Sequence, residues 1–130
     1  MIKGVLLSHG QIAQAVFEAA QRILGDIEGI QMLSVTSLSA VDIYQRLESA
    51  IREIEAKDGV VILVSLKGGS GWNAAAKLAK TNAKIEVVSG LNLPMFLSFV
   101  TKRDKIPFSE LTETLCKDAI RGINVLLLNP

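Results

Sequence analysis

The residue of this sequence best suited to chemistry is its only histidine, His9, which stands between Ser8 and Gly10. An imidazole titrates near neutral pH and its neutral nitrogen can act as a nucleophile. The apolar residues 4–7 before it predict a strand, and a helical pattern begins near Gln11. At that junction the imidazole faces free backbone amides and the positive end of a helix dipole, which suits a phosphoryl group. Most histidines are structural or surface residues, so both roles remain open for His9.

A second candidate is the glycine-rich segment 68–71, which allows three interpretations. The simplest is a strand-to-helix turn in which Ser70 caps the following helix. The second is a dinucleotide-binding fingerprint, because a G-x-G-x-x-A pattern starts at Gly69; the acidic residue it requires should end the next strand, whereas Glu86 lies inside it. The third is a cradle beside the histidine, in which Ser70 and backbone N–H groups hold phosphoryl oxygens.

Other catalytic constellations are missing from the sequence. One histidine and one cysteine, Cys116, do not make a metal-ligand cluster, so no metal site is predicted. The phosphate-binding pattern G-x-x-x-x-G-K-[ST] and the hydrolase pattern G-x-S-x-G do not occur. Phosphoryl chemistry at the histidine and nucleotide binding at the glycine-rich segment therefore remain as hypotheses.

The predicted strands and helices alternate along the chain, except that two successive helices precede the last strand. The predicted strands are runs of consecutive apolar residues, at 2–7, 30–35, 59–64, 85–88 and 123–128. Strands alternating with amphipathic helices indicate a doubly wound α/β fold, with a mainly parallel sheet and helices on both faces. No linker divides the chain, so residues 1–130 are predicted to form a single domain.

The ends of four predicted strands are rich in glycine and small polar residues. They are residues 8–10, 36–37, 65–70 and 89–92. Because the carboxyl ends of parallel strands meet at one edge of the sheet, where ligands bind in such folds, these residues are expected to converge. The turns of the opposite edge look like ordinary solvated turns. The sequence therefore predicts a site at the edge that carries His9.

Charge and composition narrow the partners and the compartment. The chain has 14 Lys and Arg against 13 Asp and Glu, with no basic run, which argues against nucleic acid or an anionic membrane surface as a partner. A single cysteine cannot form an internal disulfide, which favours a reducing compartment. The sequence shows no signal-peptide core and no apolar stretch of about 18 residues that could span a bilayer. A cytoplasmic protein is predicted.

Three motifs in order along the chain resemble one protein family. They are VLLSHG at 5–10, GGS at 68–70 followed by NAA at 73–75, and SGLNLPM at 89–95. The chain is similar over essentially all of its length to the mannose-family enzyme IIA (EIIA) domain of the bacterial phosphoenolpyruvate-dependent sugar phosphotransferase system.

The resemblance implies that His9 accepts a phosphoryl group on Nε2 from the phosphocarrier protein HPr and passes it to a IIB protein or domain. It also implies that Ser70 helps to bind that group, and the backbone amides of Gly10 and Gly69 are predicted to join it. No cofactor or metal is expected, and contact with the membrane is expected only indirectly, through the IIC/IID permease. The sugar, and whether IIB is fused or separate, are not legible in the sequence.

The sequence departs from the family pattern at two positions. Ser65 stands at the end of the third strand, where the family usually has an acidic residue that orients the histidine. A hydroxyl can fix the ring by a hydrogen bond but cannot stabilise a developing imidazolium as a carboxylate does. Gly71 replaces the family's proline and predicts a looser helix start. The alternative hypothesis is therefore a weakened or regulatory EIIA-like module.

The apolar end of the chain, residues 123–128, is predicted to be an antiparallel edge strand. Such an edge invites pairing with another chain. In the family this strand crosses to a second subunit, which predicts a homodimer with exchanged C-terminal strands. The plainer alternative is an edge strand packed within its own subunit.

Overall fold

The computed structural model describes residues 1–128 and shows the predicted alternation of strands and helices. The elements in chain order are β1 (Lys3–Ser8), α1 (Ile12–Leu24), β2 (Ile30–Ser34), α2 (Ala40–Glu53), β3 (Val60–Val64), α3 (Ser70–Thr81), β4 (Ile85–Ser89), α4 (Leu93–Lys102) and α5 (Phe108–Arg121). The predicted parallel α/β fold with helices on both faces is confirmed. No helix in this part of the chain has both the length and the apolar character to cross a membrane.

The four strands form a parallel sheet in the order β2-β1-β3-β4. Val5 of β1 lies between Gln31 of β2 and Ile62 of β3, which fixes the register at the centre of the sheet. The connection that leaves β1 runs outward to β2, and the connection that leaves β3 runs the other way to β4. This reversal is a topological switch point, and ligands in open α/β sheets bind at the carboxyl ends of the two strands that flank it.

The core has two layers, because side chains alternate between the faces of the sheet. On β3, Val61 and Leu63 pack in the layer formed with α1, α4 and α5, whereas Ile62 and Val64 pack in the layer formed with α2 and α3. All of these side chains are at most 3% exposed. Burying each contributes about 1.5–3 kcal/mol relative to exposure, so the apolar run of β3 anchors the strand that carries one half of the switch point.

The start of α3 differs from the sequence prediction. The helix begins at Ser70 with Gly69 as its N-cap, so the interpretation in which Ser70 caps the helix is wrong. The buried Gly71 lies close to β1: a Cβ on it would come within 3.1 Å of Leu7 Cδ2 and 3.3 Å of Val35 Cγ1. This glycine therefore lets the first turn of α3 pack tightly against the strand that leads to His9.

Residues 123–128 form no strand in the single chain, so the alternative of an edge strand packed within its own subunit is wrong. The antiparallel strand exchanged between two subunits stays a prediction. Val125 and Leu126 are 82% and 83% exposed, and the Ile123 amide donates back to the Ile120 carbonyl of α5. A strand needs a neighbouring backbone for its hydrogen bonds, and this segment pairs with none of the four described strands. Apolar, β-branched composition alone did not make it a strand.

Candidate functional site

His9 lies at the topological switch point between β1 and β3. It directly follows Ser8, the last residue of β1, and its side chain is exposed. The Ser65 amide donates to the Leu7 carbonyl at 2.9 Å, which extends the pairing of β1 and β3 to this edge. A Cβ built on Gly69 would lie 3.8 Å from His9 Cε1. The histidine, the end of β3 and the glycine-rich segment therefore meet, as the strand ends predicted.

One small cavity collects most of the predicted site residues. Its lining residues are Leu7, Ser8, His9, Val35, Val64, Ser65, Leu66, Gly69, Gly71 and Trp72. Ser70 is not among them. Its exposed side chain lines the adjacent groove between α2 and α3, together with Tyr44 and Lys77. The structure thus brings His9, Ser65 and Gly69 to one cavity and leaves the Ser70 side chain at the start of the helix beside it.

The turn that carries His9 is fixed on both sides. The buried Ser8 accepts a hydrogen bond at Oγ from the Ala13 amide at 2.8 Å, which ties the end of β1 to the first turn of α1. Gly10 has a φ of +54°, in the left-handed region that favours glycine, and its amide donates to Thr36 Oγ1 at 2.8 Å. The sequence placed Thr36 at this edge but assigned it no role.

The first turn of α3 presents backbone amides without a side-chain cap. Gly69 is the N-cap and has no side chain to accept from them, and Gly68 before it has a φ of +88°. The amides of Ser70, Gly71 and Trp72 have no acceptor within the helix, because the first turn of any helix leaves its N–H groups unpaired. An anion beside His9 would find these donors and the positive end of the α3 dipole.

The His9 imidazole makes no hydrogen bond with another side chain in the described part of the chain. Ser65 lines the same cavity, half-buried, but no hydrogen bond joins it to the ring, and no Asp or Glu lines the cavity. Across residues 1–128, no three His, Cys, Asp or Glu side chains lie close enough together to hold a metal ion. The arrangement offers an accessible nucleophilic nitrogen beside uncapped amides, which is chemistry for covalent transfer of an anionic group.

Known proteins match this chain over most of its length. The model of the EIIA-man family, described as the PTS system fructose IIA component, matches residues 3–116. The sorbose-specific EIIA component of Klebsiella pneumoniae is 32% identical over 115 residues, which are 88% of this chain and 84% of that protein. The mannose-specific EIIAB component of Escherichia coli K12 is 27% identical over 97% of this chain, which spans only 40% of that protein.

Solved structures agree in fold. An EIIA component from Streptococcus agalactiae superposes with a TM-score of 0.86 at 25% identity, covering 96% of this chain and 97% of that one. The mannose/sorbose-specific IIA subunit from Enterococcus faecalis superposes with a TM-score of 0.88 at 24% identity, covering 99% of this chain and 97% of that one, and supports the fold alone. Since the family model spans nearly the whole described chain, including both strands of the switch point, this chain belongs to the EIIA-man family of phosphotransferase-system IIA components.

Proposed function

We propose that this chain is a phosphoryl relay in which His9 Nε2 accepts a phosphoryl group from HPr and passes it to a IIB protein or domain. The observation that carries the proposal is the position of His9. The only imidazole of the chain is exposed at the switch point of the sheet, opposite the uncapped first turn of α3. Within residues 1–128 it makes no hydrogen bond with another side chain. Both the accessibility and the electrostatics suit transfer between two docked proteins.

The transfer needs one bond to form as another breaks. The lone pair of the neutral His9 imidazole attacks phosphorus, and the bond from phosphorus to its donor atom on HPr breaks while the N–P bond forms. The step at IIB is the same exchange with His9 as the leaving group. Negative charge on the phosphoryl oxygens is stabilised by the α3 amides, acting as preorganised donors. The Ser70 hydroxyl lies in the adjacent groove and would have to rotate toward the cavity to join them. The proposed chemistry uses the imidazole as a covalent relay and calls for no cofactor or metal.

The predicted phosphoryl contacts at Gly10 and Gly69 differ in availability. The Gly10 amide already donates to Thr36 Oγ1, so a phosphoryl oxygen would have to replace that acceptor. Gly69 is the N-cap of α3, lines the His9 cavity and opens the uncapped turn. The α3 turn is therefore the readier donor of hydrogen bonds, and we assign it the larger part of phosphoryl binding.

Ser65 motivates a second candidate, a weakened or regulatory module of the same family. The cavity presents a hydroxyl where a carboxylate would orient the ring and stabilise positive charge on it. In this candidate His9 still accepts phosphoryl, but more slowly. Installing a carboxylate at Ser65 should speed transfer if the chain is a weakened module and should leave the rate unchanged if it is not.

The family match weakens the nucleotide-binding alternative. The G-x-G-x-x-A pattern at Gly69 has no support beyond itself, and Trp72 of α3 stands in the wall of the His9 cavity beside it. A thermal-shift screen with nucleotides and dinucleotides is expected to show no stabilisation; a clear rise in unfolding temperature with a dinucleotide would revive the alternative.

We further propose a homodimer in which residues 123–128 pair with the sheet of a second subunit. Val125, Leu126, Leu127 and Leu128 are each at least 70% exposed, and β4 is an edge strand that pairs only with β3 within the described chain. Light scattering on the full chain should give the mass of two copies, and a variant ending at Gly122 should give one. A monomeric full chain, or a dimeric truncated one, would exclude the exchange.

The partners and the compartment follow from the relay. HPr and IIB work in the cytoplasm, and the membrane is reached only through the IIC/IID permease. Relatives of this chain are named for sorbose, mannose and fructose, so their names do not agree on a sugar to assign.

The relay is tested by incubating the chain with phosphoenolpyruvate, enzyme I and HPr. The wild type is expected to gain one acid-labile phosphoryl group per chain and to lose it when IIB is added. His9→Ala should gain none. Labelling of the variant at the wild-type level would show that another residue is the acceptor.

A further inference from the structure

The peptide planes on both sides of His9 are held by hydrogen bonds, and only one of these bonds depends on a side chain. The Ser8 carbonyl, in the plane before His9, accepts from the Val35 amide at 2.9 Å. The Gly10 amide, in the plane after His9, donates to Thr36 Oγ1 at 2.8 Å. Because the Gly10 N–H and the His9 carbonyl share one rigid peptide plane, the Thr36 hydroxyl fixes the backbone from which the imidazole projects.

The Thr36 hydroxyl is itself oriented by a neighbour on β2. Ser34 Oγ lies 3.1 Å from Thr36 Oγ1 and accepts from the Thr36 amide at 3.3 Å. When Thr36 Oγ1 accepts from both the Gly10 amide and the Ser34 hydroxyl, its two lone pairs are used. The acceptor is then aimed at the Gly10 amide rather than free to rotate, so the end of β2 presents a directed group to the His9 turn.

The conformation of Gly10 explains why its hydrogen bond to Thr36 matters for the position of His9. Its φ of +54° lies in the left-handed region, the residue is exposed, and a Cβ built on it would meet no atom within 4 Å. An exposed glycine can leave such a conformation more readily than a residue with a side chain in the core. The hydrogen bond to Thr36 is therefore the main restraint seen on the peptide that follows His9.

We propose that Thr36 is a positioning residue for phosphoryl transfer at His9, acting through the Gly10 amide and never on phosphorus itself. The inference rests on the proposed function. In this chain no carboxylate lines the cavity to hold the ring, so restraint of the backbone on both sides of His9 takes on part of that orientation. Losing the restraint should slow the transfer step while leaving the docking of HPr intact.

The test compares Thr36→Val, which keeps the shape but loses the hydroxyl, with Thr36→Ser, which keeps the hydroxyl. The rate of phosphoryl transfer to His9 is measured over a range of phospho-HPr concentrations. Thr36→Val is expected to lower the maximal rate roughly three- to tenfold, the effect of one neutral hydrogen bond, with the half-saturating concentration unchanged. Thr36→Ser should restore the rate to within about twofold, since it restores that bond. Hydrogen exchange of the Gly10 amide should accelerate in the valine variant alone.

Thr101→Val serves as the matched control, because Thr101 is an exposed threonine whose hydroxyl bonds to the Leu97 carbonyl within α4. Its transfer rate should equal that of the wild type. A Thr36→Val protein that transfers at the wild-type rate, or a Thr36→Ser protein as slow as the valine variant, would overturn the positioning role while the relay stands. A wild-type chain that accepts no phosphoryl group would instead overturn the relay, and the role of Thr36 with it.

Discussion

The parallel strands begin at one edge of the sheet, the amino edge, and end at the other, the carboxyl edge. The two edges differ in how their polar groups are paired. At the amino edge, charged side chains close the structure: the buried Arg103 guanidinium donates to the Glu28 carbonyl at 2.8 Å and to the Ile2 carbonyl at 3.4 Å. The terminal amino group pairs with Asp58 at 2.5 Å. Burial lowers the pKa of Arg103, and hydrogen bonding to the amino terminus lowers the pKa of the exposed Asp58.

At the carboxyl edge, neutral hydroxyls and backbone groups hold the turn, and the reactive groups are left unpaired. Ser8 and Thr36 accept from the amides around His9, while the His9 ring and the first amides of α3 have no side-chain partner among the described residues. The hydrogen bonds of the amino edge therefore serve the stability of the fold, whereas the unpaired groups of the carboxyl edge serve the proposed function. Most of these polar groups are paired at the amino edge, where Arg103 Nε alone among the buried side-chain N and O atoms of the described residues has no partner. At the carboxyl edge they stay available for the proposed phosphoryl transfer.

The largest expected effect comes from His9→Ala. Phosphoryl acceptance should be lost entirely, because no other side chain in the cavity is a comparable nucleophile. The free energy of unfolding should change by less than about 0.5 kcal/mol, as for other exposed positions without buried contacts. Parallel labelling and urea unfolding check both. Strong destabilisation of the variant would mean that His9 serves the stability of the fold rather than phosphoryl transfer.

Arg103→Met should show the reverse pattern. Removing the guanidinium leaves two backbone carbonyls without their donor, which should lower the free energy of unfolding by about 2 kcal/mol. The transfer rate of the folded fraction should stay at the wild-type value, because Arg103 lies at the far edge. Lys105→Met, at an exposed position nearby, is the matched control and should be nearly neutral. Slower transfer at full folding would show that the edges are coupled.

Ser65→Asp should raise the rate of phosphoryl transfer at His9. A carboxylate makes a charge-assisted hydrogen bond to an imidazolium, stronger than that of a hydroxyl by enough to raise the transfer rate roughly tenfold. Ser65→Asn introduces a side chain of the same size as aspartate but without its charge, so it should leave the rate near that of the wild type. Rapid-quench measurement with phospho-HPr distinguishes them. Equal rates in the wild type and the aspartate variant would remove the motive for a weakened module.

The smallest effect is expected at Asp118, which joins α4 and α5 and does not line the His9 cavity. Its carboxylate accepts from the Lys102 ammonium and from Ser98 Oγ, and these hydrogen bonds lower its pKa. A pKa lowered by folding adds stability above the ordinary aspartate range, and this stability is lost as pH falls through the lowered value. Asp118→Asn should therefore be less stable than the wild type at pH 7. In urea titrations the difference should shrink below about pH 4. A gap that persists unchanged in acid would rule out the charge as its cause.

The sequence predicts the features that follow from a repeating hydrophobic pattern, such as the strands and helices. It does not predict features that depend on a pairing strand or on the orientation of one side chain. The run at 60–64 predicts β3 because burial on both faces requires consecutive apolar residues, and the strand order then brings Ser65 to His9. The hydrogen bond from Gly10 to Thr36 joins residues 26 positions apart and leaves no trace in spacing. The start of α3 two residues before Trp72 turns Ser70 toward the α2 groove. The segment 123–128 has the composition of a strand, but it pairs with none of the four described strands of its own chain.

The most direct test of the relay is to locate the phosphoryl group. After incubation with phosphoenolpyruvate, enzyme I and HPr, the chain is digested at alkaline pH, where phosphohistidine survives, and the modified peptide is sequenced by mass spectrometry. If His9 is the relay, one phosphoryl group per chain is expected on His9, and it should disappear in acid and on addition of IIB. An acid-stable phosphoryl group on Ser65 or Ser70, or no phosphoryl group at all, would contradict the relay.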